Sequence, residues 1–319
     1  MNNSSSCAMV KVQDSKYAIA ATAIVVATAV IVGKRRQGSS SKDDTTASVL
    51  EAWESHVSKH GSLQEIWPGT LFVLEAEGCS WGPPVRNMTI YRVPDGSYRL
   101  VIFNGIAVDT TTLKEIENLG TPSVLVVPNS YHRCCAAVWK ARFPEMMVVC
   151  PRVAQERVSD IVPVDATTQT WMTMKDWSKW IHALEIDGCG EFETILELEL
   201  ENKANGKKAM LVCDLLFTLP YKENAGYAER FLEWLFDSSI SLPTDGSIVV
   251  PKVARLSRVF AVKDWARAEQ WYRSYARDQE NSIAVIAVGH GGPVVEVNSS
   301  DGCSRALDGV ADQLTKPLW

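Results

Sequence analysis

Several common architectures are excluded by what this chain lacks. None of its eight cysteines (Cys7, Cys79, Cys134, Cys135, Cys150, Cys189, Cys213, Cys303) stands in a CxxC or other zinc-binding spacing, so a cysteine-built structural zinc site is not expected. Most of them lie in or beside apolar runs, where cysteine behaves as a small hydrophobe. Cys134 and Cys135 are a poor intrachain pair, because neighbours on one strand or helix point apart. A reducing compartment fits this usage. There is also no basic stripe: 32 Lys and Arg face 38 Asp and Glu, a net charge of −6. Without a cationic surface to release counterions, nucleic acid is not an expected partner. No repeat period is visible, which removes solenoids. What is present is 319 residues, 46% hydrophobic and 22% charged, enough for one large or two small globular domains.

One long run carries no charge at all, Tyr17 to Gly33 (YAIAATAIVVATAVIVG), and Lys34-Arg35-Arg36 follows at once. As a helix it would span roughly 25 Å, slightly short of a ~30 Å hydrocarbon core. Residues 1–16 are then a polar tail, 17–33 a single transmembrane helix, 34–49 a flexible linker rich in Ser, Asp and Thr, and 50–319 a folded domain. A cleaved signal peptide and an organelle presequence are the competing readings, although a basic cluster is not a small-residue cleavage region. Lys34, Arg35 and Arg36 outweigh Lys11, Lys16 and Asp14, so the positive-inside rule puts the large domain on the cytosolic side. The expected partner is thus a membrane. Sequons at Asn87 and Asn298 would matter only in a secretory lumen.

The folded part opens with a short helix over Leu50–Val57. Strand-like runs follow at Thr70–Glu75, Met88–Val93 and Tyr98–Phe103, the last two flanking the hairpin turn Pro94-Asp95-Gly96. A helix is expected after Asp109, capped by Thr110–Thr112, with Leu113, Ile116 and Leu119 as its apolar face and Gly120 as its stop. Buried strands at Ser123–Val127 and Met146–Cys150 bracket a helix at Ala136–Arg142. The second half repeats the pattern: alternation over Thr194–Leu200, a turn at Asn205-Gly206, then the run Ala209–Cys213. Helices at Tyr227–Phe236 and Val262–Arg277 precede Ile283–Pro293 (IAVIAVGHGGP). Strands first and strand-helix-strand afterwards indicate layered α/β with a mixed sheet. Trp171 to Trp180 is dense in aromatics and is expected as an inter-sheet plug, or else a groove for an apolar ligand.

Three polar groups stand just after apolar strands: His132, Asp214 and His290. Loops at strand ends project side chains into one crevice in layered α/β proteins. Two imidazoles and a carboxylate are a ligand set for zinc or ferrous iron, and the same trio could transfer protons. Plainer roles stay open, a turn cap for Asp214 and a hydrogen-bonded loop residue for His132.

The order of elements, with VLVVPNSYHR (124–133), AMLVCDLLF (209–217) and IAVGHGGPV (286–294), resembles the metallo-β-lactamase-like superfamily, specifically an uncharacterised branch of it, over roughly Leu63 to Val295. The resemblance implies a four-layer αββα sandwich of two mixed sheets with its site at one edge. In active members a His-x-His-x-Asp-His loop supplies most ligands of two metals. A later Asp bridges the metals and a C-terminal His completes the second site. Asp214 matches the bridging Asp and His290 the C-terminal His. The ligand-rich loop is degenerate here: Asn129-Ser130-Tyr131-His132-Arg133-Cys134 leaves only His132, with Asn129 or Tyr131 as weak auxiliaries, and Glu193–Leu200 has no histidine. A dinuclear site is therefore not expected. Two readings follow. One is a membrane-anchored, non-catalytic or vestigially active protein with a reduced metal site. The other is a hydrolase using one zinc or iron ion held by His132, Asp214 and His290, with Tyr131 or Arg133 as oxyanion-stabilising candidates. A thiol enzyme built on Cys134 or Cys135 beside His132 is a distant third.

Overall fold

In a computed structural model the described residues are 42–78, 85–201, 206–218, 248, 250, 262–278, 282–295 and 302–315. Strands β1 (Gln64–Trp67), β2 (Leu71–Glu77), β3 (Val85–Arg92) and β4 (Arg99–Phe103) run antiparallel in chain order. Tight turns allow this: at the β3–β4 hairpin Gly96 takes φ +80°, and Asp95 Oδ1 accepts from the Ser97 backbone N–H at 2.8 Å. From β4 onward helices intervene and the pairing turns parallel, as crossover connections require. Helix α2 (Thr110–Leu119) leads to β5 (Thr121–Val126), α3 (Ala136–Arg142) to β6 (Met147–Cys150), and a short helical turn with α4 (Gln155–Ser159) to β7 (Ala166–Thr167). Helix α1 (Lys42–Glu54) precedes β1.

The second sheet holds β8 (Ile181–Leu184), β9 (Ile195–Glu199), β10 (Lys208–Val212), β11 (Ile283–Val288) and β12 (Val294–Val295), in the order β12-β11-β10-β9-β8. Only β10 and β11 are parallel within it. Period-2 alternation decides which side chain joins which layer. On β2, Phe72, Leu74 and Ala76 enter a core shared with Trp53 of α1 and Ile116 of α2, while Leu71 and Val73 enter the core between the sheets. The far face of the second sheet is covered by α5 (Trp265–Asp278) and α6 (Gly302–Thr315), where Met210 and Ile286 meet Tyr272 and Leu307. The layers therefore run helix, sheet, sheet, helix, all within the compact unit Thr46–Trp319.

Two expectations need correction in detail. The first helix starts at Lys42, inside the stretch expected as linker, because neither Gly nor Pro interrupts residues 42–54. The cap of α2 is Asp109, whose carboxylate accepts from Thr112 N at 2.8 Å, so the cap stands one residue earlier than expected. The aromatic-rich segment is the expected inter-sheet plug: Trp171, Trp177 and Trp180 are all buried in the core between the sheets. Residues 17–33, Tyr227–Phe236 and Asn298 lie outside the described residues. No helix among the described residues is long and apolar enough to cross a membrane. Asn87 is buried on β3, with its amide donating to backbone carbonyls, which rules it out as a glycan acceptor in the folded chain.

Candidate metal centre

Parallel pairing brings strand ends to one edge. Val212 of β10 is in register with Val288 of β11, so Asp214 and His290, each two residues past its strand, emerge side by side. In the first sheet Phe103 of β4 is in register with Val126 of β5. Asn104 follows β4 directly, and the loop after β5 carries Asn129 and His132. Two glycines make the second loop fit. A Cβ on Gly289 would stand 2.5 Å from Cys213 Sγ, and Gly291 turns at φ +98° against Thr218. Asn87 clamps this loop from the other sheet, donating from its backbone to Gly289 O at 2.8 Å and from its side chain to Val288 O at 3.0 Å and to Gly291 O.

The three side chains singled out in the sequence meet. Asp214 Oδ1 lies 3.0 Å from His132 Nε2 and 2.9 Å from His290 Nε2, and the two Nε2 atoms are 3.3 Å apart. Each ring is fixed from behind. His290 Nδ1 is 2.7 Å from Val85 O, a pure acceptor, and therefore carries a proton. His132 Nδ1 is 2.8 Å from Asn104 Oδ1. The orientation of Asn104 follows from its other end, where Nδ2 donates to Asn87 O at 2.7 Å. With both protons committed at Nδ1, both Nε2 lone pairs point at a carboxylate oxygen. One further proton relieves one of these contacts; a cation at this point relieves all of them. This is the outer-shell arrangement that orients imidazole ligands of metals.

Asp214 is oriented in turn. Asn129 Nδ2 donates to Oδ2 at 2.9 Å, while Asn129 Oδ1 accepts from the backbone N–H groups of Tyr131 and His132. Glu193 accepts from the backbone N–H groups of Cys213, Asp214 and Leu215 and so shapes the turn that presents Asp214. Burial, and after it the Asp214 charge, pushes Glu193 up to about 7. Burial would also raise Asp214, but the His132 and His290 rings outweigh it and hold the carboxyl far below the usual carboxylate range. At His132 burial opposes protonation, yet the Asp214 charge prevails and raises the ring above the ordinary histidine value. Side-chain exposure is 12% for His132, 19% for Asp214 and 4% for His290, so the cluster is sheltered but not sealed.

Cys213 was not singled out from the sequence as a ligand. Its Sγ completes a group, with His132, Asp214 and His290, whose donor atoms all lie within 4.8 Å of one another. Burial pushes its thiol well above the ordinary value, so it is a protonated neighbour until something displaces the proton. The two oxyanion candidates part company. Tyr131 is 46% exposed and lies against Phe192, with the Arg157 guanidinium over its ring. Arg133 turns away, donating to the Arg157 carbonyl and standing 3.9 Å from Asp160. It does not supply the counter-charge of Asp214. Cys134 is exposed and Cys135 buried, and neither belongs to the group around Asp214.

No family model matches this sequence, and no curated protein matches it. Among solved structures, VMB-1 aligns with TM-score 0.49 and 8% identity, over 82% of this chain and all of its own. The mono-zinc form of FIM-1 from Pseudomonas aeruginosa gives TM-score 0.46 and 11% identity, over 82% and 99% of the two chains. A metallo-β-lactamase from Erythrobacter litoralis gives 0.47 and 10%, over 79% and 96%. These neighbours are metallo-β-lactamase-fold proteins.

Proposed function

We propose that this chain is a metallo-β-lactamase-like protein with a single-ion centre, His132, Asp214 and His290 holding one zinc or ferrous ion, and that it acts as a hydrolase. The observation that carries this reading is the pair of Nε2 atoms facing one carboxylate oxygen while both Nδ1 atoms are committed to oxygen acceptors. Two imidazoles and a carboxylate suit zinc and iron, and they are too few for two ions. Cys213 stands within reach as a softer fourth donor. Once bound, such an ion supplies Lewis acidity for hydrolysis.

The chain's own groups do the rest. Asn104 and the Val85 carbonyl hold the imidazoles with their Nε2 edges inward. Asn129 fixes the plane of the Asp214 carboxylate. Tyr131, exposed in the same loop, is the candidate donor to a developing oxyanion, a role Arg133 cannot fill while it is turned to Asp160. Residues 17–33 serve as a membrane anchor in this proposal, with the large domain on the cytosolic side.

One observation favours a second reading. The raised His132 pKa allows an imidazolium–Asp214 pair to hold the cluster without metal, which would make the protein non-catalytic. Metal analysis after purification without chelators separates the two. About one zinc or iron per chain is expected. Metal-free protein that takes up neither ion on dialysis would favour the second reading.

A further inference from the structure

Arg86 lies on β3 between Val85, whose carbonyl holds His290, and Asn87, which clamps the glycine loop. Strand alternation sends its side chain to the face opposite Asn87. There Nη2 donates to Ser58 Oγ at 2.7 Å and approaches Cys135 Sγ at 3.9 Å. Its Nε is buried and has no acceptor. Among the described residues Arg86 also has no carboxylate within ion-pair distance. Other arginines do: Arg99 pairs with Asp95, Arg142 with Glu117, Arg152 with Glu191 and Arg273 with Glu269. Of the buried side-chain polar atoms that lack a partner among the described residues, the Arg86 Nε is the one that belongs to a charged group.

A sheltered guanidinium without a counter-charge is costly, as is a buried N–H without an acceptor. Both costs are relieved by one oxyanion. The guanidinium fork matches carboxylate and phosphate geometry, and the Ser58 hydroxyl adjoins it as a further polar group. The site also adjoins the loop that carries His132, since Arg86 Nη2 stands 3.9 Å from Cys135 Sγ, three residues further along that loop.

We propose that Arg86 is an anion-binding residue that takes the carboxylate or phosphate group of a ligand bound beside His132. The substrates are then acidic small molecules or phosphate esters. This goes beyond the metal reading and does not depend on it, because the contacts of Arg86 to Ser58 and Cys135 involve none of the residues grouped around Asp214.

The test is thermal unfolding of the chelator-treated, full-length chain at constant ionic strength. Chloride is replaced stepwise by inorganic phosphate and, separately, by acetate. The wild type is expected to gain several degrees in Tm along a saturating curve with at least one anion, and the stronger one identifies the ligand group. Arg86→Met should be as stable as the wild type in chloride and should lose the response, while its zinc content stays at the wild-type level. If Arg86→Met does not fold, Arg86→Lys carries the test, with a loss of about tenfold or more in apparent anion affinity expected. A wild type indifferent to both anions, or an Arg86 variant with an undiminished response, overturns the proposal. Neither result bears on whether zinc binds at Asp214.

Discussion

Nε2 of His132 and Nε2 of His290 stand 3.3 Å apart, one ring delivered by each sheet, with an Asp214 oxygen about equally close to both. The ring centroids are 5.1 Å apart at an angle of 60°, so neither imidazole stacks on the other and both present an edge to the same point. With both rings neutral, and unlike a buried hydrogen-bond chain, which alternates donors and acceptors, this point has acceptors on every side. Most of the behaviour expected of the protein follows from that.

The support behind His132 gives the first prediction. Asn104 takes φ +59°, which asparagine tolerates and alanine does not, and it holds His132 Nδ1 and Asn87 O together. Asn104→Ala should lose roughly 1–3 kcal/mol of stability and about 10–100-fold in zinc affinity. Asn104→Gly should recover backbone stability but not affinity. Denaturant unfolding with a zinc competition titration checks both.

The loop after β11 gives the second. Gly289→Ala forces a Cβ against Cys213 Sγ at 2.5 Å and the Cys213 backbone at 2.9 Å, whereas a Cβ on Gly292 meets nothing within 4 Å. Gly289→Ala should cost about 1–3 kcal/mol and Gly292→Ala about 0.5 kcal/mol or less, read from paired unfolding curves.

Much of the architecture was legible in the sequence, and the reasons differ from element to element. β4, β5 and β11 are apolar runs bounded by turn residues, and α2 shows the 3.6 period of Leu113 and Ile116. That Asp214 and His290 would meet could be anticipated, since both follow apolar strands that end at one sheet edge. Asn104 and Glu193 could not be singled out. Their importance lies in partners that the fold brings from 28 and about 20 residues away, and nothing in their local sequence marks it. The adjacency of Cys213 to Asp214 was visible, but a cysteine ending an apolar strand looks the same as a core residue. Arg133 adjoins His132 in sequence, yet it points away because Asp160 and the Arg157 carbonyl offer it partners outside the site.

The pH dependence of the metal-free protein is the third prediction. Glu193 titrates near 7 in the fold against 4.5 ordinarily, so its ionisation costs the folded state increasingly as pH rises between those values. His132 is raised, and its contribution is present below its ordinary 6.5 and lost as pH rises through its folded pKa. Asp214 is depressed, and its contribution is lost only as pH falls below its ordinary 3.8. Chelated protein should therefore be most stable at mildly acidic pH and weaken toward neutrality and above. Glu193→Gln should flatten the decline between 4.5 and 7. Tm measured across pH for both proteins is the check, and a wild type that gains stability steadily over that range would contradict it. Zinc should reverse the trend, because binding competes with protons on the imidazoles.

The proposed membrane anchor gives a fourth. Full-length protein should remain with membranes through a carbonate wash, and a chain beginning near Ser39 should be soluble and folded. Release of the full-length chain by the wash would instead favour a processed signal or a presequence.

The central claim is tested most directly by the ring nitrogens themselves. ¹⁵N spectra of the histidines in chelated protein should show protonated Nδ1 atoms on His132 and His290, with no more than one further proton shared between the two Nε2 atoms. On titration with zinc, both Nε2 resonances should move together and saturate at about one equivalent, with Nδ1–H retained on each ring. If either ring keeps its proton on Nε2 rather than Nδ1, or zinc leaves both Nε2 resonances where they were, the site is not a metal centre.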